Sequence, residues 1–260
     1  MDFLYKEPQV INIFTDASTT NNSAPKVLAA CGFILVHQGQ AKNKGFTVWK
    51  GSSSFGELYA AFMGINEIYR DAWLLRSQGY DPRIYRVYNL FTDSTYVLKI
   101  LKKWVIDWIK DAGPMQYTWN PYTMRYELHP PLLKKPDKDL VQHQELILQT
   151  VWVIISAQVK IHIYHTSAHK KSHKSKDMQK YKENFTKINN FPENYAIPTE
   201  LMHEFIKWND SIDHMTRDGL NALLNNPITR DQILNSTKPI FPVRYYPTWN
   251  ELLTYQYLVE

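Results

Sequence analysis

The sequence predicts an α/β fold with one mixed five-stranded sheet and helices on both faces. Three apolar segments, at 10–15, 28–37 and 44–50, are separated by short turn-prone links, which favours antiparallel pairing of the first three strands. Further along, strand-like and helix-like patterns alternate, which favours parallel strands joined by helical crossovers. A single sheet with helices on both sides satisfies both observations.

The remaining elements are predicted from apolar spacing and from breaker residues. A helix at about 55–76 has apolar residues three and four positions apart, and a strand follows at about 84–92. The next helix, at about 94–111, ends before Gly113-Pro114. Residues 114–137, which are rich in Pro and Tyr, are predicted to form a long loop. The other predicted elements are a helix at about 138–157, a strand at 159–164, a helix at about 199–220 and a short helix near 249–258.

Composition narrows the class of protein. A chain of 260 residues with 44% hydrophobic residues can bury one good core. The formal net charge of +5 favours a polyanionic partner, above all nucleic acid. Cys31 is the one cysteine, so no intramolecular disulfide can form, and we expect a reducing compartment, cytoplasmic or nucleoid-associated. We identify no signal peptide, and the longest apolar run, Val151 to Ile155, is too short to span a membrane.

Four acidic residues have settings that suggest a shared site. Asp16 closes an apolar run, Glu57 lies in the first turn of a predicted helix, and Asp93 ends a second apolar run. Asp213 follows Asn209 by four residues, which places both on one helix face. Clustered carboxylates repel each other unless a cation lies among them, and hard divalent cations such as Mg²⁺ prefer oxygen ligands. A pair of such ions is a standard device for phosphodiester cleavage.

Each acidic residue also has a purely structural alternative. A carboxylate at a strand end can form a turn, and one beside a helix start can cap the helix. The alternatives are an Asx-turn at Asp16, a capping box between Ser54 and Glu57, an N-cap at Asp93, and simple solvation of Asp213, with Asp210 as a rival for its place.

The ordered motifs resemble those of ribonuclease H of the type 1 class, within the ribonuclease H-like superfamily. The resemblance covers about residues 10–169 and 207–220. It is carried by Thr15-Asp16-Ala17-Ser18, Glu57-Leu58-Tyr59-Ala60-Ala61, Thr92-Asp93-Ser94-Thr95-Tyr96-Val97, Trp104 with Trp108, Lys138-Asp139-Leu140, Ala168-His169-Lys170, and Asn209 with Asp213. Ala17 departs from the family's usual Gly, which requires a negative φ at this position. A long insertion precedes the last catalytic helix.

The resemblance implies a domain organisation and a reaction. Residues 1–220 would form the catalytic domain, with a basic insertion at about 170–207 and a C-terminal extension at 221–260 of unknown role, which we expect to dock a protein partner. The activity would be hydrolysis of the RNA strand of RNA/DNA hybrids, with two Mg²⁺ ions, or Mn²⁺ in their place. The lysine-rich 160–187 segment is either a solvated surface or an arm that follows the phosphates.

The resemblance also assigns residues to these roles. The metal ligands and catalytic acids would be Asp16, Glu57, Asp93 and Asp213, and His169 would carry a proton, with His165 and His173 as competitors. Substrate contacts would come from Ala17, Asn22, Ser53, Ser54, Thr95 and Asn209. Two alternatives remain open: a hybrid-binding module that does not cleave, and a related resolvase-like nuclease that acts on DNA.

Overall fold

A computed structural model of the protein describes residues 8–20, 27–113, 116–129, 132–135, 137, 139–166, 175–192, 197–235 and 247–260. Five of its strands form one sheet in the order β3-β2-β1-β4-β7, and two more form a separate hairpin. The strands are β1 (Val10–Thr19), β2 (Leu28–His37), β3 (Gln40–Lys50), β4 (Val87–Thr92), β5 (Gln116–Asn120), β6 (Arg125–His129) and β7 (Ile161–His165).

Helices connect the strands and cover the sheet. A π-helical segment, Ile100–Trp104, joins the third and fourth helices into one continuous helix. The helices are α1 (Ser53–Ser77), α2 (Pro82–Tyr85), α3 (Thr95–Lys99), α4 (Val105–Ala112), α5 (Gln144–Ala157), α6 (Ser175–Ile188), α7 (Thr199–Leu224), α8 (Pro227–Asn235) and α9 (Trp249–Leu258). None of the helices in the described part of the chain combines the length and the apolar character that crossing a bilayer requires.

The strand pairing confirms the predicted mixed sheet. β1 pairs antiparallel with β2, and β2 pairs antiparallel with β3. β4 pairs parallel with β1 on one side and with β7 on the other. Because β1 and β4 run in the same direction, Thr15 lies opposite Thr92, and the residues that follow them emerge at the same edge of the sheet.

Each face of the sheet has its own apolar core, which confirms helices on both sides. On one face, Ile13 of β1 packs with Ile65 of α1 and Val151 of α5. On the other face, Phe14 stacks on Phe91 with ring centroids 4.6 Å apart, and Phe205 of α7 covers both. Alternation of side chains along β1 sends neighbouring residues to opposite cores. Burial of each such side chain stabilises the fold by about 1.5–3 kcal/mol.

Several predicted boundaries are wrong, for local reasons. The strand predicted at 84–92 begins at Val87, because Asp81 caps a short helix by accepting a hydrogen bond from the Arg83 N–H at 2.9 Å. β3 begins four residues earlier than predicted, since the Gln38-Gly39 turn has positive φ at both residues, the geometry of a two-residue hairpin. The segment 114–137 is not a loop throughout, since it contains the β5–β6 hairpin.

The C-terminal segment packs on the sheet domain. Leu252, Tyr255 and Leu258 of α9 are buried in the same core as α1 and α5. Beyond α9, the chain runs along the edge of β7. There the Glu260 N–H donates to the Ile161 carbonyl at 3.0 Å. The last helix of the extension is therefore part of the main core, and its docking to another protein stays a prediction.

Candidate active site

Four carboxylates from four different elements line one cavity of about 430 Å³. Asp16 lies near the end of β1 and Asp93 directly follows β4, so the parallel strands bring both to one edge of the sheet. Glu57 comes from the first turns of α1, and Asp213 comes from α7. Oxygen atoms of Asp16, Glu57 and Asp93 all lie within 4.8 Å of one another. The structure therefore brings together the four acids that the sequence singles out.

The structural alternatives for Asp16 and Asp93 are wrong. β1 continues through Asp16 to Thr19, with Asp16 opposite Gly32, so the carboxylate does not form a turn. Ser94, and not Asp93, is the N-cap of α3, because its hydroxyl accepts from the Val97 N–H at 3.4 Å. Neither carboxylate has the role that local sequence alone would give it.

The capping box between Ser54 and Glu57 is also wrong. Ser52 is the N-cap of α1, and its hydroxyl accepts from the Phe55 N–H at 3.3 Å. Ser54 lies inside the helix, and its hydroxyl pairs with that of Ser52 at 3.0 Å. Glu57 therefore extends from the interior of α1 toward the other carboxylates. Among the described residues, its buried Oε2 has no hydrogen-bond partner.

The electrostatics of the cluster favour a bound cation. Burial, followed by the nearby charge of Asp93, raises the pKa of Asp16 from 3.8 to about 7, although the Ala17 N–H donates to its Oδ1 at 2.7 Å and opposes the shift. Burial and the charge of Asp16 raise the pKa of Glu57 well above its ordinary value. Repulsion and desolvation both disfavour the ionised forms. A divalent cation with oxygen ligands would relieve both, so the donor set fits such an ion.

Arg217 is a member of the site that sequence reasoning missed. Its guanidinium lies 2.9 Å from the Asp213 carboxylate, one helical turn away on α7, and it lines the same cavity. Its charge lowers the pKa of Asp16, against the larger effects of burial and Asp93. The available signal was the Asp-x-x-x-Arg spacing, which places the two side chains on one helix face. Asp210, the rival for the place of Asp213, does not line this cavity.

The predicted substrate residues are distributed around the site. Ala17 lines the cavity and, as its family position requires, is absent from the residues with positive φ. Ser53 and Thr95 begin α1 and α3, and like Ser54 they are not among the residues lining the cavity. Asn209 is buried, and its Oδ1 accepts from the Thr166 hydroxyl at 2.8 Å. Asn22 lies outside the described residues.

Of the three candidate histidines, the structure describes His165 alone, since His169 and His173 lie outside the described residues. His165 ends β7 opposite Thr92 and is buried. Burial lowers its pKa, and the Asp93 backbone opposes this shift. The side chain of Asn189 holds the backbone of His165, accepting from its N–H at 2.7 Å and donating to its carbonyl at 2.9 Å.

Comparison with models of known protein families shows which family the chain belongs to. A family model described as RNase H matches residues 8–179, which is more than half of the chain. The chain belongs to the RNase H family. Membership supports a nuclease-type function for this chain. The family typically uses divalent metal ions, and the Asp16–Glu57–Asp93 group could hold one. A search of curated proteins finds no match.

Solved structures with a similar course of the chain include RNase H domains. The foamy viral protease–reverse transcriptase in complex with RNA/DNA hybrid is 10% identical, with a TM-score of 0.42 over 64% of this chain and 18% of that one. The PFV RNase H domain is 14% identical, with a TM-score of 0.39 over 70% of this chain and 91% of that one. A type 1 RNase H with the type 2 active-site motif is 11% identical, with a TM-score of 0.38 over 79% and 86%. This chain spans less than a fifth of the length of the first of these proteins.

Proposed function

We propose that this member of the RNase H family hydrolyses the RNA strand of RNA/DNA hybrids with two divalent ions, Mg²⁺ or Mn²⁺. The observation that carries the proposal is the convergence of Asp16, Glu57, Asp93 and Asp213 on one open cavity. A protein that only bound nucleic acid would be hindered by four carboxylates beside the phosphates of its ligand. Their retention within an RNase H fold therefore favours cleavage over binding alone.

The four carboxylates would hold the ions, which supply an activated water and stabilise charge on the leaving oxygen. The protein contributes orientation. The Ala17 N–H fixes one oxygen of Asp16, and Arg217 fixes one oxygen of Asp213. Because Asp16 and Asp93 extend from paired parallel strands, their separation is set by the sheet. These constraints keep the ligands in place before substrate arrives, so less reorganisation is needed during the reaction.

Selection of RNA would depend on contacts with the 2′-hydroxyl. The proposed contacts are the Ala17 backbone, Asn22, Ser53, Ser54 and Thr95, and Asn209 is proposed as a further substrate-binding residue. These groups recognise sugar and phosphate, so we expect little dependence on base sequence. A histidine within 165–173 is the proposed proton carrier at the leaving group. The lysine-rich 160–187 segment would add phosphate contacts as an arm of the proposed 1–220 catalytic domain, and the 170–207 insertion has no proposed role beyond the part of this arm that it contains.

A strand-resolved cleavage assay tests the proposal. Wild type, Asp93→Asn and the control Asp210→Asn are incubated with Mg²⁺ and labelled hybrid, duplex RNA, duplex DNA or branched DNA. We expect cleavage of the RNA strand of the hybrid by wild type and Asp210→Asn, and a loss of at least about 100-fold in Asp93→Asn. Cleavage of branched DNA alone would support the resolvase-like alternative. Tight hybrid binding without cleavage by wild type would support the binding module.

A further inference from the structure

The helix that follows Asp93 contains a π turn. In the segment Ile100–Trp104 the backbone takes an extra residue per turn, and the Val105 N–H donates to the carbonyl of Ile100, five residues back. In α4 each N–H again donates to the carbonyl four residues back. At the junction, one backbone carbonyl therefore receives no hydrogen bond from the helix backbone. That carbonyl belongs to Leu101, whose α-helical partner would have been the Val105 N–H.

The π turn determines which side chains share a face. In an uninterrupted α-helix, Trp104 would lie about 80° around the axis from Tyr96. The π turn accommodates one extra residue, so the angle between Tyr96 and Trp104 around the helix axis falls to about 20°. The two rings accordingly meet edge to face, with centroids 6.3 Å apart, and Trp108 follows with its centroid 5.7 Å from that of Trp104. We call Tyr96, Trp104 and Trp108 the aromatic wall, and it lines a cavity of about 560 Å³.

Tyr255 of α9 supplies a hydrogen-bond donor for the Leu101 carbonyl, which the π turn leaves without a backbone partner in the helix. Its hydroxyl donates to the Leu101 carbonyl at 2.7 Å, and the whole side chain is buried. Burial raises the pKa of Tyr255, so the phenol stays protonated and remains a donor. The helix is fixed in place by Leu252 and Leu258, which lie in the main core on either side of Tyr255.

We propose that Tyr255 is a positioning residue that stabilises the π turn and so sets the rotation of the aromatic wall relative to Asp93. The functional part of this inference rests on the proposed function. Trp104 lies eleven residues after Asp93, roughly 16 Å along a helix. At 3.4 Å per base step, a hybrid engaged at the carboxylates would reach the wall within about five base pairs. Tyr96 and Trp104 are only partly buried, so their rings can bind nucleotides at that distance by stacking, whereas Trp108 is 6% exposed and packs in the main core.

Tyr255→Phe tests the inference, because it keeps the buried ring and removes only the donor. Tyr257→Phe, on the same helix but 72% exposed, is the control. In Tyr255→Phe we expect amide exchange over 101–106 to accelerate about tenfold. We also expect KM for the hybrid to rise about tenfold with kcat within about twofold, since Asp93 precedes the π turn. Wild-type exchange together with wild-type KM, or a loss confined to kcat, would overturn the proposal.

Deletion of Lys103 provides a second, independent test. Lys103 is an exposed residue of the π turn, and removing one residue converts the segment to ordinary α-helix with the same rotation of Trp108. No carbonyl is then left over, so Tyr255→Phe should have no effect on KM in this background. An equal effect of Tyr255→Phe in both backgrounds would show that Tyr255 does not act through the π turn. If the wild type cleaves nothing, the exchange rates still decide this inference separately from the proposed function.

Discussion

Ala17 and Gly56 lie against each other where β1 meets α1, next to two of the site carboxylates. A Cβ atom at position 56 would lie 3.0 Å from the Cβ of Ala17 and 3.0 Å from that of Ala29. Ordinary carbon contacts are about 3.5–4.0 Å, so an alanine at position 56 would force both neighbours to move by a few tenths of an ångström. Asp16 and Glu57 are the immediate neighbours of these two residues. The distance between the two carboxylates is therefore controlled by a contact between two very small residues.

Gly56→Ala should separate α1 from β1 and move Glu57 away from Asp16. Both contacting groups are methyls held by backbone, so neither can rotate aside. We expect a destabilisation of about 1–3 kcal/mol from overpacking. Hybrid cleavage should fall, by less than the roughly 100-fold that a 1 Å misplacement costs, because the neighbours must move by only a few tenths of an ångström. The measurements are chemical unfolding and initial cleavage rates.

A second substitution distinguishes displacement from general damage. Ala17→Gly removes one of the two methyls that oppose the new side chain. The double variant Ala17→Gly/Gly56→Ala should therefore cleave faster than Gly56→Ala, even though glycine in a strand lowers stability by about 0.5–1 kcal/mol. If the double variant is no faster, the distance between β1 and α1 does not control the site.

The metal-free protein should lose stability as pH rises. The pKa of Asp16 is about 7 in the fold and 3.8 as an isolated side chain, so between these values the folded state holds a proton that the unfolded state has lost. The folded state is thus favoured below about pH 4, and this advantage disappears as pH passes 7. The free energy of unfolding should fall by at most about 4 kcal/mol across this pH range. Thermal unfolding in a chelator at pH 4 to 8 measures it.

Two comparisons assign this pH dependence to the carboxylate cluster. Asp16→Asn cannot ionise, so its unfolding temperature should vary less with pH between 4 and 8 than that of wild type, while Asp210→Asn should behave as wild type. Mg²⁺ at about 100 times its Kd should add about 2.7 kcal/mol at pH 8. An unchanged slope in Asp16→Asn would mean that other groups cause the dependence.

The sheet and the acidic residues were predictable because their signals are local. Each strand of the main sheet has its own apolar run. Asp16 and Asp93 are placed by where two runs end, and parallel pairing then brings them together. Glu57 was predictable in position, although its capping partner was not. Ser52 and Ser54 are both competent N-caps, and only the course of the chain before α1 decides between them.

Other features were hidden because the sequence fits a simpler pattern. Val97, Leu101, Trp104 and Trp108 match a regular helical stripe, so nothing in the spacing indicates the π turn. In the segment 114–137, prolines at both ends masked the strand-forming residues of the β5–β6 hairpin. The helix α9 was predictable as a helix, yet its docking surface depends on the shape of the distant α1–α5 core.

Asn189 should be needed to hold the 175–188 helix against the end of β7. Its side chain forms both hydrogen bonds to the His165 backbone and also donates to the Phe185 carbonyl at 2.9 Å. Asn189→Ala would remove the side-chain partner of the His165 N–H and carbonyl at a cost of about 1–3 kcal/mol. The Phe185 carbonyl would keep its backbone hydrogen bond from the N–H of residue 189, at 3.1 Å. Amide exchange at 165 and 185–189 should accelerate. Gln179→Ala, which removes only an exposed bond to Glu183, is the control and should change neither stability nor exchange.

Adjacent leucines of α9 should differ sharply in their effect on stability. Leu252 is 3% exposed and packs in the main core, whereas Leu253 is 50% exposed. Leu252→Ala should cost about 2–5 kcal/mol through lost burial and a residual cavity. Leu253→Ala should stay within about 0.5 kcal/mol of wild type. Chemical unfolding of both variants makes the comparison.

Leu252→Ala and Leu253→Ala also test whether the residues beyond 220 fold as a unit separate from the sheet. If α9 is integral to the catalytic domain, Leu252→Ala lowers the midpoint of a single unfolding transition that also reports on the sheet. Truncation after Leu220 should then fail to give a stably folded nuclease, because it removes Leu252, Tyr255 and Leu258 from the core together. A truncated chain that keeps wild-type stability and hybrid cleavage would show instead that the extension is independent of the catalytic domain.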